Sequence, residues 1–236
     1  MSPLWRDEIR IRFAPGEVSV ARMNRGLRPV CAGELAHCVE SSGLQWQPAL
    51  AALETLLGDS RWRAPHARIV VSNLWARYAI VPWAPELVTS DERLSHAGIC
   101  LAATYGSMDD SWRVSLGEAE PGKSRVACAL PEGLIAGLTE LMSAHDLKVV
   151  SLQPLLIAAY NEWRHQLPEE GGWLVCIEDG ALAAARLGAR DWDRVYSARI
   201  GPNWSVELLR LRTFARMASS SGEAAQAGRR GPRVAR

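Results

Sequence analysis

The sequence holds no C-x-x-C pair, no two histidines at i, i+4 and no G-x-S-x-G. These absences remove zinc ribbons and dithiol redox sites, a helical metal site, and the nucleophile elbow of hydrolases, in that order. The five cysteines (Cys31, Cys38, Cys100, Cys128 and Cys176) are odd in number, and four sit inside apolar runs. With no signal peptide at the start, they predict reduced, buried thiols in a cytoplasmic protein. No apolar run approaches the ~20 residues of a membrane-spanning helix. Any membrane association is therefore expected to be indirect, by docking onto a membrane complex. The net charge of +1 argues against a nucleic-acid partner, which demands a strongly basic face. Phenylalanine is scarce, 2 residues against 10 tryptophans. Tryptophan is amphipathic and favours half-buried and interface positions.

What is present suffices for a core. Hydrophobic residues make up 48% of the chain and charged ones 22%, in a length that fits one large domain or two small ones. Glu8–Phe13 and Glu17–Met23 alternate polar and apolar side chains around Ala14-Pro15-Gly16, the pattern of an antiparallel hairpin. Residues 28–37 can supply a third strand. A helix follows Trp46-Gln47-Pro48, with Leu50, Leu53, Leu56 and Leu57 on one face and Gly58 as its stop. Arg68–Val71 is short and β-branched, as in a strand buried on both faces. The strand Ala76–Pro82 ends at Pro82-Trp83-Ala84-Pro85. Thr89-Ser90-Asp91-Glu92 opens a helix with a capping box that closes near Tyr105-Gly106. Strands Ser111–Gly117 and Arg125–Leu130 flank the turn Glu120–Lys123. A helix from Pro131, a strand Lys148–Ser151 and a helix Pro154–Trp163 follow. Trp173–Ile177, Ala181–Leu187 and Arg194–Ile200 form a second strand set that resembles the chain's own beginning. Asn203 or Ser205 caps a last helix to about Met217. The basic, Ser/Gly/Ala-rich stretch 219–236 has the composition of a disordered tail.

Candidate chemistry is sparse. Gly117–Ser124 matches G-x-x-x-x-G-K-[ST], in which backbone N–H groups cradle phosphates ahead of a helix. Here Glu118 and Glu120 bring negative charge, Pro121 removes a donor, and a strand stands where the helix belongs. The simpler reading is a hairpin loop. Glu178-Asp179-Gly180 ends a buried strand. It could hold Mg²⁺ on a carboxylate beside a phosphate, or serve as an Asp-Gly hairpin turn. No catalytic nucleophile is recognisable. Trp75, Arg77, Tyr78 and Trp83 have the make-up of an interaction hot spot, or else pack the sheet's own neighbours. Arg210, Arg212 and Arg216 on the last helix suit an acidic partner or an anionic membrane surface.

The order of elements resembles the actin-like proteins of type IV pilus and type II secretion platforms, the PilM-like proteins and the cytoplasmic part of GspL-like proteins. The match runs best from Arg77 to Trp163. It includes Leu101-Ala102-Ala103-Thr104-Tyr105-Gly106, Leu138 to Val150, and Pro154-Leu155-Leu156-Ile157-Ala158-Ala159-Tyr160, and it continues at Trp173–Gly180. The resemblance implies an α/β, RNase H-like fold with a full first lobe over 1–165, an inserted interaction subdomain at about 75–116, and a partial second lobe over 172–218. It also implies ATP between the lobes, held by Asp-x-Gly turns and following hydroxyls. The sequence departs from that pattern. The first turn is Phe13-Ala14-Pro15-Gly16-Glu17, without Asp or hydroxyl. Ala181, Ala183 and Ala184 stand where hydroxyls would follow Glu178-Asp179-Gly180. The expected role is thus a non-catalytic scaffold at the inner membrane's cytoplasmic face. It would bind the cytoplasmic tail of a membrane partner and is a candidate homodimer. An ATPase is the rival.

Overall fold

The computed structural model describes residues 7–24, 30–40, 44–168, 170–188, 191–201 and 204–210. Residues 1–199 form one compact unit and residues 200–236 a second. Along the first unit run β1 (Glu8–Phe13), β2 (Glu17–Asn24), β3 (Val30–Cys38), α1 (Gln47–Leu57), β4 (His66–Val71) and β5 (Arg77–Val81). Next come α2 (Ser90–Tyr105), β6 (Trp112–Leu116), β7 (Arg125–Pro131), α3 (Glu132–Ala144), β8 (Lys148–Pro154) and α4 (Leu155–Trp163). The strands β9 (Gly172–Glu178), β10 (Ala181–Leu187) and β11 (Trp192–Arg199) complete the unit.

Period-two alternation in β1 and β2 builds the main sheet, ordered β3-β2-β1-β4-β8. β1, β2 and β3 pair antiparallel, while β4 lies parallel to both β1 and β8. Ile9, Ile11, Phe13, Val18, Val20, Ala67, Ile69 and Val71 fill its inner face and are fully buried. Burying each of the larger ones contributes about 1.5–3 kcal/mol. Leu53 and Leu56 of α1 and Leu134 and Leu138 of α3 join the same core. The other face carries Arg10, Arg12 and Arg68, all exposed. There Glu8 accepts from Arg10 Nε at 3.1 Å and Arg68 Nε at 2.8 Å. β4 is therefore buried on one face only, not on both. Its short β-branched run hid the alternation that Arg68 reveals.

A second sheet, ordered β5-β7-β6, is antiparallel throughout. α2 packs on it through a small core of Ala79, Val81, Ala97, Leu101, Ala127 and Ala129. The alanines let the helix approach closely. The capping box forms as the sequence predicts: Glu92 N–H donates to Thr89 Oγ at 3.2 Å, and Thr89 N–H to Glu92 Oε2 at 2.8 Å. The central strand is β7, so this inserted sheet extends from Arg77 to Pro131 and does not stop near Leu116. Pro131 closes β7 and stands at the N-cap of α3, one place before the helix proper.

The third sheet is the meander β9-β10-β11. Its first turn is Asp179-Gly180, with Gly180 at φ +78°, a conformation that glycine adopts without strain. Residues 181–185 of β10 are all buried, and Tyr160 of α4 meets Trp192 at 4.7 Å between ring centroids. This meander repeats the strand-turn-strand arrangement of β1–β3, as the sequence suggests.

All five cysteines are free, but the expectation of uniformly buried thiols fails at Cys31 and Cys38, which are exposed. Both lie on β3, an edge strand of the main sheet, where an apolar run is no sign of burial. Burial pushes the Cys128 and Cys176 thiols up to about 11. In the second unit, residues 204–210 are helical, and Trp204, Val206 and Leu209 are exposed. Arg212, Arg216, the helix end near Met217 and the tail 219–236 lie outside the described residues.

Candidate functional site

Parallel strands point their carboxyl ends at one rim of a sheet, and ligands of open α/β sheets bind there. In this chain the rim is formed by Phe13, Val71-Ser72-Asn73 and Pro154-Leu155. The β1–β2 turn and the β9–β10 turn face each other across it. A Cβ placed on Gly16 would stand 3.6 Å from Asp179 Oδ2. Glu178, Asp179 and Gly180 therefore sit opposite the first turn, in the cleft between the main sheet and the third.

The chain's own groups occupy several of the donors of this cleft. Ser72 N–H donates to Phe13 O at 2.9 Å and Ala14 N–H to Glu17 O at 3.1 Å. Asn73 N–H donates to Glu178 Oε1 at 2.6 Å. In the first turn of α4, a natural anion site, Leu156 N–H is likewise taken, donating to Asn73 Oδ1 at 2.9 Å. Tyr78 O–H donates to the same oxygen at 2.6 Å. Burial raises the pKa of Glu178 above the usual carboxylate value, against hydrogen bonds from Asn73 and Ser72 and the charge of Arg12. Burial likewise pushes the Tyr78 phenol well above its usual value. A carboxylate pushed toward its neutral form is a poor cation ligand. Among the described residues, no group of three or more His, Cys, Asp or Glu is placed to hold a metal ion. The methyl groups of Ala181, Ala183 and Ala184 are buried behind the turn.

Beside this closed cleft lies an open cavity of about 390 Å³, within the size range of ligand pockets. Its walls include Trp46, Trp75, Arg77, Tyr105, Trp112 and Arg199. The Arg77 guanidinium lies 3.9 Å above the Trp112 ring and 5.4 Å from that of Tyr105, and its Nη1 donates to Met108 Sδ at 3.1 Å. Trp75 is 3% exposed and donates from Nε1 to Leu44 O at 2.8 Å. The Tyr105 hydroxyl accepts from Tyr78 N–H at 3.2 Å and lies 3.0 Å from Ser197 Oγ, joining β5 to β11. Both are edge strands of their sheets. Asn73 is a further wall residue. Its Nδ2 is buried and has no acceptor among the described residues.

The four residues read as a hot spot or as packing within the sheet are thus divided between the two. Trp75 and Arg77 line the cavity. Tyr78, 1% exposed, belongs to the core and cannot face a partner, since alternation on β5 turns it inward. Trp83 lies beyond the opposite end of β5, roughly 13 Å of strand away from Arg77, where its ring takes Arg125 at 5.8 Å. Tyr105, Trp112 and Arg199 were missed. They come from the end of a helix and the ends of two strands, and only the tertiary fold brings them together. The Gly117–Ser124 segment is the loop of the β6–β7 hairpin, with Gly122 at φ +84°. Ser124 Oγ lies 2.6 Å from both Asp191 Oδ1 and Trp192 O. A strand follows where a phosphate loop needs a helix.

A five-stranded mixed sheet, an inserted small sheet, and a second strand set facing the first across a cleft define an actin-like fold. No family model and no curated protein matches the sequence. Solved structures do match in fold. The chain is similar to a protein of the PilM–PilN type IV pilus biogenesis complex, with a TM-score of 0.61 and 17% identity over 82% of this chain. It spans 62% of that protein's length. A Bacteroides thetaiotaomicron protein with an actin-like ATPase fold and unknown function superposes with a TM-score of 0.61 at 11% identity, covering 92% of this chain and 80% of its own. The cytoplasmic domain of EpsL, an inner-membrane component of the type II secretion system of Vibrio cholerae, gives 0.53 at 10% identity, covering 82% and 71%.

Proposed function

We propose that this chain is a non-catalytic scaffold of a type IV pilus or type II secretion inner-membrane platform, and that its aromatic cavity takes the cytoplasmic tail of a membrane partner. The observation that carries this reading is the contrast at Asn73. On one side its oxygen helps close the cleft where an actin-like protein would place phosphates. On the other lies an open cavity walled by Trp, Tyr and Arg. Apolar tail residues would cover the rings. The structural likeness to a pilus protein solved in complex with PilN, and to the EpsL cytoplasmic domain, supports a partner of this kind. Among the described residues no helix is long and apolar enough to cross a membrane.

Calorimetric titration with the cytoplasmic tail peptide of the platform's PilN-like component tests the proposal. Binding that is lost in Trp112→Ala supports it. Undiminished binding in that variant, or none to the native protein, contradicts it. The rival ATPase reading would instead require Mg-ATP at 100 times its Kd to stabilise the fold by roughly 2.7 kcal/mol.

A further inference from the structure

β3 is an edge of the five-stranded sheet and, among the described residues, is hydrogen-bonded to β2 alone. Along its nine residues only Leu35 is half-buried and all the others are exposed. Stable monomers usually blunt such an edge with Lys, Pro or an inward charge. β3 has no Lys, Arg or Pro, and Glu34 is its single carboxylate. One apolar row crosses the whole sheet: Leu152 on β8 stands opposite Ile69, Ile69 opposite Ile11, Ile11 opposite Val20, and Val20 opposite Leu35. Leu35 packs against the core and ends the row at an open edge.

We propose that β3 pairs antiparallel with β3 of a second copy about a two-fold axis at Leu35, joining two five-stranded sheets into one. This goes beyond the tail-binding reading and does not depend on it. A two-fold axis across an antiparallel ladder must set one residue opposite its own copy. Centring on Glu34 would oppose two carboxylates, which is unfavourable. Centring on Gly33 would run the ladder into the bulge at Ala32, where the β2 partners jump from Gly33 to Cys31. Centring on Ala36 would set Leu35 against His37. Centring on Leu35 continues the apolar row into the second copy, faces Glu34 with the small Ala36, and faces Gly33 with His37. No like charges meet, so the strand is complementary to itself. That is what favours a second copy over an unrelated strand.

Sedimentation velocity of the native protein over a concentration series should show a monomer–dimer equilibrium. Leu35→Lys should weaken association roughly tenfold or more, because two ammonium groups would then face each other. A native protein that stays monomeric at high micromolar concentration overturns the proposal, as does a Leu35→Lys variant that dimerises normally. Cross-linking checks the register independently of stability. In a Cys31→Ser, Cys38→Ser background, Leu35→Cys should form a disulfide-linked dimer on mild oxidation in several-fold higher yield than Glu34→Cys. Equal or reversed yields overturn the axis. Loss of tail binding with dimerisation intact would touch only the earlier reading.

Discussion

The polar cleft and the aromatic cavity share one wall residue, Asn73, and differ in what the chain leaves unmet. In the cleft, the backbone donors of Ser72, Asn73 and Leu156 all find acceptors within the chain, and burial raises the pKa of Glu178 above its ordinary value. In the cavity, ring faces and two guanidinium groups border open space. A shared fold therefore does not place function in the same spot. Where side chains of the protein itself satisfy the donors, the rim of the sheet becomes a joint between strand sets. Where they do not, the rim stays open and is the proposed binding surface.

The contrast can be broken most severely at Asn73. Asn73→Leu leaves Leu156 N–H and Tyr78 O–H without their acceptor, each at about 1–3 kcal/mol, so urea unfolding should show a loss of roughly 2–6 kcal/mol. A loss below about 1 kcal/mol would mean that the cleft is not the joint described. Trp112→Ala removes the ring under Arg77 and should weaken tail binding roughly tenfold or more, while circular dichroism shows the fold retained.

A smaller and pH-dependent effect is expected at Glu178→Gln, which keeps an acceptor for Asn73 N–H and removes the buried acid. The folded-state pKa of Glu178 lies above its ordinary 4.5. The stabilisation tied to its neutral form is therefore full below that value and is lost as pH rises through the raised pKa. Thermal unfolding midpoints of the native protein should fall relative to Glu178→Gln across that rise. A constant difference from acidic to neutral pH would contradict the buried-acid description. Smallest of all, Lys123→Ala in the β6–β7 loop should change stability by less than about 0.5 kcal/mol and leave any response to Mg-ATP unchanged. Loss of a nucleotide response in that variant would restore the phosphate-loop reading.

Much of the fold was legible because local rules agreed with it. The hairpin at Pro15-Gly16, the Thr89–Glu92 capping box, the Gly58 stop and the Asp179-Gly180 turn each depend on a few adjacent residues. The order of elements then pointed to the actin-like class. Properties set by neighbours distant in sequence were not legible. The apolar runs around Cys31 and Cys38 read as buried until the edge position of β3 is seen. β7 looks like the partner of β6 alone, although β5 flanks its other side and makes it central. Tyr78 and Trp83 sit close to Arg77 in sequence, yet alternation and strand length send one into the core and the other to the far end of β5. Conversely, Tyr105, Trp112 and Arg199 meet Arg77 only through the inserted sheet and β11. Glu178–Gly180 form the hairpin turn that the sequence offered as one reading, but the burial of Glu178 against Asn73 depends on a contact 105 residues away.

The central claim is that partner binding resides in the cavity and that nucleotide does not use the cleft. Hydrogen–deuterium exchange of one protein preparation, with the partner's tail peptide and separately with Mg-ATP, tests it most directly. The account predicts that the peptide protects residues 73–77, 105–112 and 197–199, and that Mg-ATP leaves residues 13–17 and 178–184 unchanged. Protection of those two turns by Mg-ATP, with none around the cavity from the peptide, would contradict it.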